Sequence, residues 1–166
     1  TAYNIPVGDG RYLDPESSSR PYERPAFVEY CYPDNRPGFR ETAGLRISSS
    51  PYSRPRLVLS GSPNQTLWSA DSTQKPSFNI FFRSDYGNSS ISHPLIPETP
   101  VRRFEEIRLR AGKNDISNPF IRDEYIRRLW TDMGRTGTTG SFVTLYLNGV
   151  FKGYYNLVER IREPFM

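Results

Sequence analysis

The sequence predicts an α+β fold, a mainly antiparallel sheet carrying one main helix, and three observations predict it. Several short stretches alternate apolar and polar residues with the period of two that a half-buried strand needs. One stretch, residues 119–133, repeats apolar residues every four positions, the spacing of a helix face. Asn148-Gly149 lies between two runs rich in β-branched and aromatic residues, which is the strongest short signal for a hairpin. No segment of 20–50 residues recurs, which excludes a repeat array.

The elements follow in chain order. Residues 1–25 are rich in Pro, Ser, Arg and Tyr without periodicity and read as an extended N-terminal arm. Ala26-Phe27-Val28-Glu29-Tyr30-Cys31-Tyr32 is a strand, closed by the turn residues Pro33-Asp34-Asn35. Ala43 to Ser48 alternates as a second strand. The stretch 48–76 is rich in Ser and Pro and reads as an insertion loop holding one short edge strand at Leu57-Val58-Leu59. Ser77 to Arg83 is a strand with Phe78, Ile80 and Phe82 on one face, followed by a turn at Asp85-Tyr86-Gly87-Asn88. From Phe104 to Arg110, Ile107 and Leu109 face one way and Glu106, Arg108 and Arg110 the other; arginines so placed are either solvated or aimed at a ligand.

The helix is expected to start with Asn118 as cap and Pro119 in the first turn. Ile121, Tyr125, Leu129 and Met133 form its apolar stripe, and Arg127 and Arg128 lie toward its C-terminal end, where the dipole favours cations. Gly134 suits the position just past the end. Ser141 to Leu147 and Val150 to Val158 are the arms of the closing hairpin.

Composition narrows the function classes. The chain has 166 residues, 36% of them hydrophobic and 14% aromatic, a share that disordered chains rarely carry. Pro (15), Gly (12) and Ser (18) make up more than a quarter of it, which points to a loop-rich domain with a modest core. No apolar run approaches the roughly 18 residues of a membrane-spanning helix. Thr1 to Gly10 show neither the basic start nor the apolar run of a secretory leader. The net charge is +4, and 19 of the 22 basic residues are Arg. Arg is the better fork for phosphate or carboxylate, but these residues are scattered among acids, so no nucleic-acid stripe is expected. Cys31 and His93 are each the only residue of their type, which leaves no internal disulfide and no Cys/His metal cluster within the chain.

No Gly-rich phosphate loop of standard spacing and no nucleophile elbow is present. The chemistry-bearing candidates are charged residues on or beside strands: Lys75 before the strand at 77–83, Arg108, Arg110, Asn114 and Asp115 at and after the strand at 104–110, and Glu159 and Arg160 at the end of the hairpin. Each is also a plausible solvated charge, cap or surface ion pair.

Five blocks carry a family resemblance. Arg108-Leu109-Arg110-Ala111-Gly112-Lys113-Asn114-Asp115 is similar to a Leu-Arg-Asn-Gly-Gly-Asn-Asp signature, with Lys113 at its second glycine. The run from Tyr146 to Ile161 resembles Leu-Asn-Gly-Glu-Tyr-Trp-Gly-Leu-Tyr-Asn-Leu-x-Glu-Arg-Ile. Tyr22-Glu23-Arg24-Pro25 through Asp34, Ala43-Gly44-Leu45-Arg46-Ile47, and Lys75 through Gly87 resemble three further blocks in the same order. Together they resemble the CotH kinase family (spore coat protein H-like), over about residues 20–163. The resemblance implies the N-terminal lobe of an atypical protein kinase, spanning 26–166, that would use ATP and Mg²⁺ to phosphorylate Ser or Thr of secreted or surface proteins. It implies a nucleotide contact by Lys75, with Asp123 or Glu124 as its carboxylate partner, and Glu159 and Arg160 beside the adenine. Arg110, Asn114 and Asp115 match the motif without an assigned role; Asn114 and Asp115 are equally good turn and capping residues. The stretch 48–76 stands where the family has a short His-Gly-Gly turn.

The family's catalytic and metal-binding aspartates follow the Glu-Arg-Ile block, so this chain alone is expected to be inactive, and the rest of the kinase-like domain is an expected partner beside a protein substrate. The alternative is a non-catalytic surface adhesion or binding module, or a structural part of an extracellular assembly. A lobe that packs on a second half would leave Tyr154, Leu157, Ile161 and Phe165 uncovered by itself.

Overall fold

The computed structural model describes residues 23–48, 77–112 and 121–160. Eight strands and one helix appear in the order β1 (Arg24–Tyr30), β2 (Phe39–Ser48), β3 (Ser77–Phe81), β4 (Ile91–Ser92), β5 (Arg103–Phe104), β6 (Glu106–Arg110), α1 (Arg122–Asp132), β7 (Gly140–Leu147) and β8 (Val150–Glu159). Six strands form one sheet in the order β1-β2-β3-β6-β8-β7, and β4 pairs with β5 in a separate short ladder. Every pairing is antiparallel. The α+β expectation therefore holds. Of the arm expected at 1–25, residues 1–22 lie outside the described residues, while Arg24 and Pro25 already belong to β1; most of the insertion at 48–76 and the short strand expected at 57–59 also lie outside them.

The hairpin forms at Asn148-Gly149, where φ is +52° and +78°. Two consecutive positive φ values match the right-handed twist of the flanking strands, and Asn and Gly tolerate them. A bulge between Leu145 and Tyr146 then shifts the register of β7 on β8.

Register sorts the sheet into two faces. Leu45, Ile80 and Ile107 are direct neighbours across β2, β3 and β6, as are Ile47, Phe78, Leu109 and Leu157 across β2, β3, β6 and β8. Because neighbours across a ladder point the same way, these residues form one continuous apolar face. It is closed by the connection from β3 to β6, which brings Phe82, Ile91, Leu95, Ile96 and Phe104 into the same buried cluster. His93 sits within this connection, its ring 5.4 Å from Phe39 and 5.5 Å from Tyr32. Tyr30 stacks on Phe39 with centroids 5.7 Å apart.

Three expectations need correction. The single strand expected from Phe104 is split at Glu105: β5 pairs with β4, and the Glu105 carbonyl accepts the Phe82 N–H instead (2.9 Å). Leu157, expected to lack cover, is fully buried on the apolar face opposite Leu109. Tyr154 does lie open at 62% exposure, while Ile161 and Phe165 lie outside the described residues.

The third correction is the orientation of α1. Its apolar stripe points away from the sheet: Ile121, Tyr125, Leu129 and Met133 are 43–65% exposed, and the helix's one fully buried side chain is Glu124. The period of four was real, but a period reports that a face is uniform and not what it faces. The end that was expected holds: Gly134 takes φ +74°, and its N–H bonds the Thr131 carbonyl (2.9 Å). The expected start at Asn118 and Pro119 lies outside the described residues; Ile121 flanks the first turn without a side-chain cap.

Candidate anion-binding site

The second face of the sheet is polar, for the same reason that the first is apolar: it collects the alternate residues of the same strands. Arg46, Asn79, Arg108 and Val158 form one row across β2, β3, β6 and β8. Gly44, Phe81 and Glu106 form the next; on the other side Ser48 pairs with Ser77, and Arg110 with Asn156. Arg83 follows β3, and Arg160 follows β8.

Three carboxylates neutralise three of these arginines. Glu23, whose side chain is wholly buried, binds Arg83 (3.0 Å). Glu106 binds Arg160 (2.6 Å), and Asp123 of α1 binds Arg110 (3.0 Å). Gly44 makes the first pair possible. A Cβ at this position would lie 2.3 Å from Glu23 Oε1 and 2.6 Å from the Tyr86 ring, so a side chain would evict the carboxylate.

Arg46 and Arg108 have no carboxylate within ion-pair distance among the described residues. The Arg46 guanidinium lies over the Phe81 ring, 4.4 Å from its centroid, and Arg83 lies over the same ring at 4.7 Å. Arg108 donates from Nε to Asn79 Oδ1 (2.9 Å), a neutral acceptor. Burial, and then the nearby charges of Arg160 and Arg110, pull Arg108 below the ordinary guanidinium pKa, against the opposing pull of Glu106. Burial also pulls Arg46 down, opposed by Glu23 and Glu106 and reinforced by Arg160 and Arg83. Guanidinium does not deprotonate in proteins, so the lowered value reflects the cost of holding its charge away from water.

Helix α1 is tied to this face by ion pairs and hydrogen bonds. Buried Glu124 accepts from Arg127 (2.6 Å), Arg128 (2.8 Å) and the backbone N–H of Gly140 (2.8 Å). Arg127 reaches on to the Thr138 carbonyl (3.0 Å) and to Asn156 Oδ1, and Arg128 to the Gly140 carbonyl (2.9 Å). The two arginines therefore tie the helix to β7 and β8 instead of serving its C-terminal dipole. Gly140 has no room for a side chain, since a Cβ would lie 2.5 Å from the Leu157 carbonyl oxygen.

Of the site residues expected from sequence, Arg110, Glu124, Glu159 and Arg160 are described, whereas Lys75, Asn114 and Asp115 are not. Arg110 and Arg160 join the polar face. Glu159 does not: it pairs with Ile107 on the apolar face, and burial pushes its carboxyl pKa up. The carboxylates of Asp123 and Glu124 are engaged by arginines. Gly112, one residue before Lys113, takes φ +65°, which explains a glycine at that motif position. Sequence reading named Arg108 but did not join it to Arg46 and Asn79; only strand register brings the three together.

Among the described residues no group of three His, Cys, Asp or Glu side chains is placed to hold a metal ion. Among the described residues each carboxylate on the polar face already has a cation, so this face offers no free carboxylate set for a Mg²⁺ ion. The opposite face carries an open groove of about 330 Å³, lined by apolar residues such as Val28, Leu45, Ile80 and Leu145. No helix of the described residues is long and apolar enough to cross a membrane.

The fold and this face define the class: an α+β protein built on one antiparallel sheet, with a guanidinium-rich face beside a charge-docked helix. The family model described as CotH kinase protein matches residues 68–166, more than half of the chain, and the chain belongs to that family. The match starts after the blocks at Tyr22–Asp34 and Ala43–Ile47, which lie before its first residue. A comparison with curated proteins finds no match.

Proposed function

We propose that this chain forms the phosphate-facing wall of a kinase-like phosphoryl-transfer site. Family membership supports a kinase-like function. The observation that carries the reading to this face is Arg108, a half-buried guanidinium with a neutral amide as its partner and two further arginines nearby. Phosphoryl transfer relies on positioning and on stabilising charge at the transferred group, and arginine forks suit both tasks. In this reading Arg108 and Arg46 hold phosphate oxygens, and Arg160, which follows β8 on the same face, lies toward the rest of the nucleotide. The carboxylates for Mg²⁺ come from outside the described residues, and the acceptor is a Ser or Thr of a secreted or surface protein.

The test uses the full-length gene product with labelled ATP. Mg²⁺-dependent transfer to Ser/Thr-rich protein is expected, with ATP affinity reduced at least about tenfold by Arg108→Met. Arg103→Met, at an exposed arginine on the short ladder, should leave affinity unchanged. Absence of both transfer and nucleotide binding would overturn the reading.

A further inference from the structure

The unexplained feature is the outer face of α1. Ile121, Tyr125, Ile126, Leu129, Trp130 and Met133 are all large and all 43–65% exposed on a helix whose docked face is ionic. Six side chains, each about half exposed, amount to roughly 600 Å² of surface. That is at the upper end of what a monomer normally leaves open, and it is close to one partner's share of a small stable interface.

The pattern along the helix selects the occupant. Ile121 and Met133 are centred on residue 127, and so are Tyr125 and Leu129. Arg122 and Asp132 are centred on the same residue. Both are exposed, and neither has an ion-pair partner among the described residues. If two copies of α1 packed antiparallel through their exposed faces, about a two-fold axis at the level of residue 127 along the helix, Ile121 would come level with the other copy's Met133 and Tyr125 with its Leu129. Arg122 would meet the opposite charge of Asp132 at both ends. A two-fold interface requires this kind of self-complementarity. Trp130 is already held by its Nε1–H donating to the Thr136 carbonyl (3.0 Å), so less side-chain freedom is lost on docking.

We propose that this face of α1 binds a second copy of the chain, in an antiparallel helix pair with Arg122–Asp132 contacts at its two ends. The proposal stands on the helix alone and is independent of the phosphoryl-transfer reading.

Sedimentation of the full-length protein tests it. An area near the lower limit for stable interfaces suggests micromolar dissociation, so a dimer mass is expected at about 100 μM protein. Leu129→Glu should give a monomer, with far-UV circular dichroism unchanged because the residue is exposed. Arg122→Asp and Asp132→Arg should each weaken the dimer about tenfold, and the double charge swap should restore it to within about threefold. A monomer mass for the unaltered protein would overturn the proposal, as would a double swap as weak as the singles. A monomer that instead floats with vesicles containing phosphatidylserine would also overturn it, assigning the face to a lipid surface.

Discussion

The two faces of the sheet come from the same strands, one residue apart, and are held by opposite physics. The apolar face gains stability by removing Leu45, Ile80, Ile107, Leu109 and Leu157 from water, a non-directional effect that grows with the apolar area buried. The polar face is stable only where each guanidinium finds an acceptor, and among the described residues Arg46 and Arg108 find no carboxylate within ion-pair distance. Burial thus makes one face a core. On the other it creates a demand for an anion.

Substitutions on the two faces should separate these roles. The largest effect is expected from Ile107→Ala, which opens a cavity in the apolar face and should cost about 2–5 kcal/mol in denaturant unfolding. On the polar face, Glu124→Gln removes the charge that two arginines share. It should cost about 2–4 kcal/mol, and the loss should be local. Hydrogen exchange would show faster amides in α1 with the central strands unchanged; uniform acceleration across β3, β6 and β8 would mean that the helix belongs to the core after all. Gly44→Ala comes next, at about 1–3 kcal/mol, because the new methyl displaces the Glu23 carboxylate that neutralises Arg83.

The smallest effect is a pH dependence at the rim of the apolar face. Burial, and then Arg36, hold the His93 pKa below its ordinary 6.5. Its ring contacts Tyr30, Tyr32 and Phe39, and its Nε2 is buried without a hydrogen-bond partner in the described structure. The unfolded chain therefore takes up the proton first as pH falls. Stability should decline from about pH 6.5 down to the lower folded value and level off below it. His93→Leu should flatten that slope in urea titrations at successive pH values, while the carboxylate-driven loss at more acidic pH persists.

The sequence was informative where structure is local. The hairpin was legible because Asn148-Gly149 satisfies a backbone requirement by itself, and the helix end because Gly134 does the same. Strands β1, β2, β3 and β6 were legible because alternation needs no knowledge of the partner strand. The ladder of β4 and β5 was not, since two residues are too few to show a period. The site was half legible. Arg110 and Arg160 were singled out by motif, and Arg108 by its strand face, but Arg46 and Asn79 lie in segments far from it in the chain.

The sequence by itself determined the element types, the turns and the existence of two chemically distinct faces, because period and turn chemistry are properties of neighbouring residues. Tertiary structure alone decided which arginines share a row, which of them lack a carboxylate, and which way the helix faces. Those outcomes depend on strand register and on the competition among groups for one another. Glu124 shows why: with Arg127, Arg128 and the Gly140 N–H all within reach, the ionic face of α1 has partners on the sheet that its apolar face lacks, and the helix turns accordingly.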